Sequence, residues 1–245
     1  MREIVIPRKI YYVWIGNKNK PVSVISNIES WRRLNPEYEI IEINEDNFDI
    51  SSYKFVSQAY DQKMWAFASD VMRIDTIYKN GGIYLDTDVE AIKPFDKLID
   101  SSSFWALENT GAVATGLVFG ATKENPILKD ILDIYTDLNF NIDNQFETMT
   151  VPIVTNVLKK YGLKFNNRKQ ILKSGAVIYP TPYFAPIHFW GGGKVSKKTI
   201  TVHHYAASWL SESQNKLNLK NFKRSLTLYI PKIIRIIDIL RGKSW

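Results

Sequence analysis

The stretch Asn80-Gly-Gly-Ile-Tyr-Leu-Asp-Thr-Asp88 (NGGIYLDTD) holds a helix stop, a strand and a pair of carboxylates. Gly81 and Gly82 supply the left-handed conformation that ends a helix, residues 83–85 read as a short apolar strand, and Asp86 and Asp88 follow where that strand ends. Upstream, residues 61–80 carry Met64, Phe67, Val71, Ile74 and Ile77 at a spacing of three to four, which predicts the helix that the glycines stop. Downstream, residues 89–92 form another short apolar run closed by Pro94. Further out, residues 9–15 (KIYYVWI) read as a buried first strand, Pro21 opens a helix bearing Val24, Ile25, Ile28, Trp31 and Leu34, and residues 38–43 make a second strand. A β-α-β opening followed by helix and strand is how a doubly wound α/β sheet begins. Strands are also expected at 104–107, 117–120, 177–179 and 199–203, and helices at 126–138 and 152–161. Residues 180–198, with their prolines and the glycines 191–193, read as a long loop.

With 245 residues, 45% of them hydrophobic and 13% aromatic, the chain is long and apolar enough for one large α/β domain, and a disordered reading is excluded. It contains no cysteine, which rules out a disulfide framework and any thiolate metal site. Residues 1–10 are interrupted by Arg2, Glu3, Pro7, Arg8 and Lys9 and lack the apolar run of a signal peptide, so a cytoplasmic location is expected. The net charge of +7 is unevenly spread. From Lys216 onward eight basic residues face Asp238 alone, which leaves 24 of each sign in the body of the chain and argues against duplex nucleic acid as a partner.

Alternation along an extended chain puts Asp86 and Asp88 on one side, where two carboxylates can share a hard divalent cation, Mn²⁺ or Mg²⁺. Such an ion bridges to the phosphates of a nucleotide and neutralises charge as a diphosphate leaves. A solvated turn is the commoner reason for two acids beside a strand; the position at a strand end after a glycine pair favours function. Asp70 and Arg73 lie three apart on the preceding helix and share a face from which Asp75 is turned away. They stand among Phe67, Ala68, Val71 and Ile74, where a surface ion pair is out of place, and such a pair can grip sugar hydroxyls. Near the other end, His203, His204, Ser208 and Trp209 cluster, with imidazole able to complete a metal shell and Ser and Trp able to close over a donor. Trp14, at the tip of the first strand, reads either as a core aromatic or as a stacking plate for a base. Glu108 and Asn109 read either as pocket lining or as a polar strand end.

Together, the segments IYYVWIG (10–16), FASDVMRI (67–74), NGGIYLDTD (80–88) and HHYAASW (203–209) resemble glycosyltransferase family 32, which includes bacterial capsular polysaccharide transferases and yeast Golgi mannosyltransferases and is similar to the catalytic core of clostridial glucosylating toxins. The resemblance implies a GT-A type domain, a Rossmann-like mixed sheet flanked by helices, over residues 1–215, with a basic C-terminal helical tail at 216–245. It implies a UDP-sugar donor and roles by position. Trp14 stacks on the uracil, Asp70 and Arg73 hold the donor hexose, and Asp86 and Asp88 hold the metal, with Asp86 also reaching ribose or sugar. Tyr84 and Thr87 line the donor, Ser208 and Trp209 close over the diphosphate, and His204 is favoured over His203 as the third ligand. It also implies retention of anomeric configuration. No protein nucleophile is evident for the double displacement that retention otherwise suggests, so a front-face route is expected, driven by positioning and electrostatics.

The tail bears on the acceptor. Residues 230–240 carry six Ile and Leu after Pro231 with Lys232, Arg235 and Arg241 close by, which reads equally as a helix lying on an anionic leaflet or as one packed on the protein itself. The first reading brings the enzyme to the inner face of a membrane and a lipid-linked saccharide acceptor. Two rival functions stand beside transfer. A haloacid dehalogenase-type phosphatase also uses an acidic loop after a strand but needs a second acidic pair, for which only Asp130 and Asp133 offer themselves. A noncatalytic carbohydrate-binding module would use the seven tryptophans and has no need of the aspartates.

Overall fold

The structure, a computed structural model, describes residues 5–16, 19–142, 148–188 and 192–205. In chain order it runs β1 (Lys9–Val13), α1 (Val22–Leu34), β2 (Glu39–Ile43), α2 (Lys54–Asp61), α3 (Trp65–Asn80), β3 (Gly82–Tyr84), β4 (Val89–Ala91), β5 (Ser103–Ala106), β6 (Phe119–Ala121), α4 (Pro126–Asp137), α5 (Thr150–Lys160), β7 (Gln170–Ile171), β8 (Val177–Tyr179), the single turn α6 (Thr181–Phe184) and β9 (Thr201–His203). Seven strands form one mixed sheet in the order β2-β1-β3-β6-β5-β8-β7. In it β1 lies parallel to both β2 and β3, while β6 runs antiparallel between β3 and β5.

The apolar runs explain the layering. In β1, Tyr11 and Val13 join a core with α2, α3, α4 and α5 on one face, and Ile10 and Tyr12 join a second core with α1 and α6 on the other. A strand covered on both faces reads as a continuous apolar run, as KIYYV does. Helix α1 buries Val24, Ile28 and Trp31 at the predicted spacing, each fully buried aliphatic chain contributing about 1.5–3 kcal/mol, whereas Ile25, expected on the same stripe, is exposed. Gly81 takes φ +67 and Gly82 φ +128, as the helix-stop reading requires.

Three boundaries differ from expectation. The helix expected from residue 61 begins at Trp65, because Lys63 adopts φ 57 and breaks the chain there, and Asp61 instead ends α2. The 180–198 loop contains the turn α6, started by Pro180 and Pro182. The late strand, expected over 199–203, spans Thr201–His203 and leaves the main sheet altogether, pairing antiparallel with β4 so that Val89 faces His203. Ser208, Trp209 and the tail from residue 216 lie outside the described residues. Among those that are described, no helix is long and apolar enough to cross a membrane.

Candidate active site

The carboxyl ends of the parallel strands β1 and β3 are where open α/β sheets collect ligands, and the two strands deliver Trp14 and the Asp86-Thr87-Asp88 turn there. The turn is held mainly through its backbone. Asn27 of α1 donates from Nδ2 to the Thr87 carbonyl at 2.9 Å, Trp31 donates from Nε1 to the Val89 carbonyl at 2.7 Å, and the Ala91 N–H reaches Ser30 Oγ at 2.9 Å. One helix therefore fixes the loop that bears the carboxylates. The sequence singled out Trp31 only as an apolar residue of that helix and gave no signal for Asn27 or Ser30.

Behind the turn lies the ion pair read from α3. Arg73, its side chain only 5% exposed, meets Asp70 Oδ1 at 2.5 Å and Asp86 Oδ1 at 3.1 Å. Its Nε and Nη2 donate to the Ser69 carbonyl and hydroxyl, both at 3.1 Å, and its guanidinium lies 4.9 Å from the Tyr84 ring centre. Tyr84 donates its hydroxyl to Asp86 Oδ1 at 2.9 Å. Burial raises the Asp86 and Asp70 carboxyls above their ordinary values, with Arg73 opposing in both cases, and Thr150 at the start of α5 hydrogen bonds Asp70. Burial alone would favour a neutral Arg73, but Asp86, Tyr84 and Asp70 outweigh it and keep the cation charged. Asp75 points away, taking the Tyr53 hydroxyl at 2.9 Å and Lys79 at 2.7 Å.

Pairing of β9 with β4 brings the third ligand type. His203 Nε2 lies 3.1 Å from Asp88 Oδ1, while the Tyr205 N–H occupies its Nδ1 at 3.2 Å. Burial lowers the His203 pKa, yet the hydrogen bond and charge of Asp88 override it and leave the imidazole above its ordinary value. His204, the histidine the sequence favoured as ligand, does not lie beside the aspartates, whereas His203 does. Successive residues of a strand point to opposite sides, so His204 turns outward to Glu90 Oε2 at 3.1 Å and His203 turns in. Asp86, Asp88 and His203 each offer one ligand atom within 4.8 Å of the others. Two carboxylate oxygens and one imidazole nitrogen form a donor set that could hold a divalent cation, and the side chains of Asp86 and Asp88, 31% and 21% exposed, leave the pair open to a ligand from the cleft.

Of the remaining expected residues, Trp14, Glu108 and Asn109 are described. Trp14 is half-buried, with the Lys20 ammonium 5.6 Å from its ring centre and Lys20 paired to Glu42 at 2.5 Å. The negative charge of Glu108 is felt at both His203 and Tyr205, and the Asn109 side chain hydrogen bonds Tyr205 and donates to the Ile187 carbonyl at 3.1 Å. Both therefore stand near the His203–Tyr205 segment. Asp130 and Asp133, the second acidic pair a dehalogenase-type enzyme would need, sit instead on α4, bonded to Tyr161 and Lys129.

Residues 21–105 match the family described as glycosyltransferase sugar-binding region containing DXD motif. Two inositol phosphoceramide mannosyltransferases of Schizosaccharomyces pombe are related in sequence. Number 3 is 27% identical over 157 residues, covering 62% of this chain and 43% of that one, and number 1 is 25% identical over 156 residues, covering 59% and 47%. The chain thus spans about half the length of the curated relatives it matches. Among solved structures, that of PaToxG glycosyltransferase superposes with a TM-score of 0.53 at 21% identity, over 64% of this chain and 69% of that one, a likeness of fold. Geometry and comparisons meet in one assignment: residues 21–105 match a glycosyltransferase sugar-binding region whose DXD motif is Asp86-Thr87-Asp88, in a mixed α/β fold of GT-A type.

Proposed function

We propose that this chain is a retaining, metal-dependent hexosyltransferase that takes a sugar from a nucleoside diphosphate donor and passes it to a saccharide acceptor. The observation that carries the reading is the convergence of Asp86, Asp88 and His203 within 4.8 Å, backed by a buried Arg73 that bridges Asp70 and Asp86 and offsets one of their two charges. A divalent ion held there supplies positive charge for the departing diphosphate. The chain's own residues do the rest. Trp14 offers its ring to the base, Asp70 and Arg73 face the hexose hydroxyls, and Tyr84 fixes the Asp86 carboxylate that reaches ribose or sugar. Because Asp70 and Arg73 are fixed on α3 and the Asp86–Asp88 turn is tied to α1 before the donor arrives, they act by preorganisation. Ser208 and Trp209 are assigned to closing over the diphosphate on sequence alone.

UDP-galactose and UDP-glucose are the donors favoured, and the names of the yeast relatives add a nucleotide-activated mannose to the panel. A lipid-linked acceptor, met at an anionic membrane surface through the basic tail and used in surface polysaccharide synthesis, is the setting proposed. Incubating the purified protein with each nucleotide sugar and Mn²⁺ tests the reaction. Release of nucleoside diphosphate from one donor, abolished by chelator and restored by metal, supports it; inorganic phosphate as the sole product, or turnover indifferent to chelator, refutes it.

A further inference from the structure

Gly116 lies behind the Asp86 carboxylate. A Cβ placed on it would stand 2.3 Å from Asp86 Oδ2 and 3.3 Å from Arg73 Nη1, the first far inside van der Waals contact. The backbone gives no reason for glycine there, since its φ lies outside the left-handed region that Gly81, Gly82 and Gly111 occupy. Nor is the segment free to recede. Gly116 accepts from the Asp86 N–H at 3.2 Å, Ala114 donates to Ala106 of β5 at 3.1 Å, and Thr115 and Leu117 are buried on either side. The missing side chain is therefore required by the carboxylate and not by the chain's own conformation.

The two oxygens of Asp86 have different surroundings. Oδ1 takes the Arg73 guanidinium and the Tyr84 hydroxyl, and Oδ2 fills the space over Gly116. A methyl at 116 must rotate the carboxylate, breaking the Oδ1 bonds or withdrawing Oδ2. We propose that Gly116 is a positioning residue for Asp86: by carrying no Cβ it holds the carboxylate in the one orientation that satisfies Arg73 and Tyr84 while presenting Oδ2 to the metal and donor. This rests on the functional reading above and extends it to a residue outside the segment 21–105 that matches the sugar-binding family.

The test is Gly116→Ala, whose backbone any residue can adopt. Mn²⁺ affinity, followed by the spin resonance of the free ion, is expected to weaken about tenfold or more, in the range seen when a partner that orients a ligand is lost. Donor KM should rise more than kcat falls. A double-mutant cycle with Asp86→Ala separates positioning from general packing. With the carboxylate gone, the alanine at 116 should cost nothing further in melting temperature or metal affinity. Wild-type Mn²⁺ affinity and KM in Gly116→Ala, or an equal melting penalty with and without Asp86, would overturn the proposal. If the wild-type protein turns over no donor, the functional reading fails, and the melting-temperature cycle, which needs no donor, still decides the contact.

Discussion

At the residue scale, the two adjacent histidines have opposite fates that an experiment can read. His203→Ala removes the only imidazole that faces the aspartate pair among the described residues and should weaken Mn²⁺ binding at least ~10²-fold, no less than losing an orienting partner costs. His204→Ala removes an exposed contact with Glu90 and should leave metal titrations and turnover within about twofold, as exposed pairs contribute little. Asp86 offers a second test, through stability. Burial raises its folded-state carboxyl above the ordinary value, Arg73 only partly opposing, so the native protein binds a proton more readily than the unfolded chain does. The metal-free fold therefore gains stability as pH falls through that raised value and is most penalised at neutral pH. Asp86→Asn, neutral and of the same shape, should melt no lower than wild type at pH 7 without metal, the gap closing as pH drops to the unfolded carboxylate value near ~4. Its donor turnover should fall ~10²-fold or more. A lower melting temperature for the asparagine variant at pH 7 would show that the carboxylate stabilises the metal-free fold.

At the scale of elements, the decisive one is α1, which lies far from the chemistry in sequence and grips the turn between the aspartates. Asn27→Ala leaves the Thr87 carbonyl without its donor and should cost about 1–2 kcal/mol in chemical denaturation, with a higher donor KM. An unchanged KM would mean that Trp31 and Ser30 alone fix the turn. The same element shows what a sequence can and cannot display. Its apolar stripe, the glycine stop after α3 and the strand before Asp86 are local patterns, and each was readable because periodicity and turn chemistry act over a few residues. Asn27, Ser30 and Gly116 act across the fold on atoms about 30 to 60 positions away, and nothing near them in sequence marks them. Which of His203 and His204 lies beside the aspartates is hidden for the same reason. Both neighbours look alike until the partner of β9 is known, and that partner is β4, not the main sheet. Helix α2, only eight residues long, is too short for its apolar spacing to stand out in the sequence.

For the whole molecule, the charge distribution makes the tail separable. Cutting after residue 215 removes eight of the 32 basic residues and should abolish binding to vesicles rich in anionic lipid while leaving soluble donor turnover within about threefold, each basic residue near such a surface contributing ~1 kcal/mol. Equal sedimentation of both proteins with vesicles would assign membrane contact elsewhere or nowhere. The short β4–β9 ribbon carries a consequence for the order in which this molecule comes into being. Its two strands are separated by more than a hundred residues of intervening chain, so a nascent polypeptide still tethered to the ribosome short of residue 203 already encodes every strand of the main sheet yet lacks the imidazole. Synthesis must pass residue 203 before the proposed ion site has its imidazole, and a chain cut short of that point would carry the strands of the main sheet without the complete cluster.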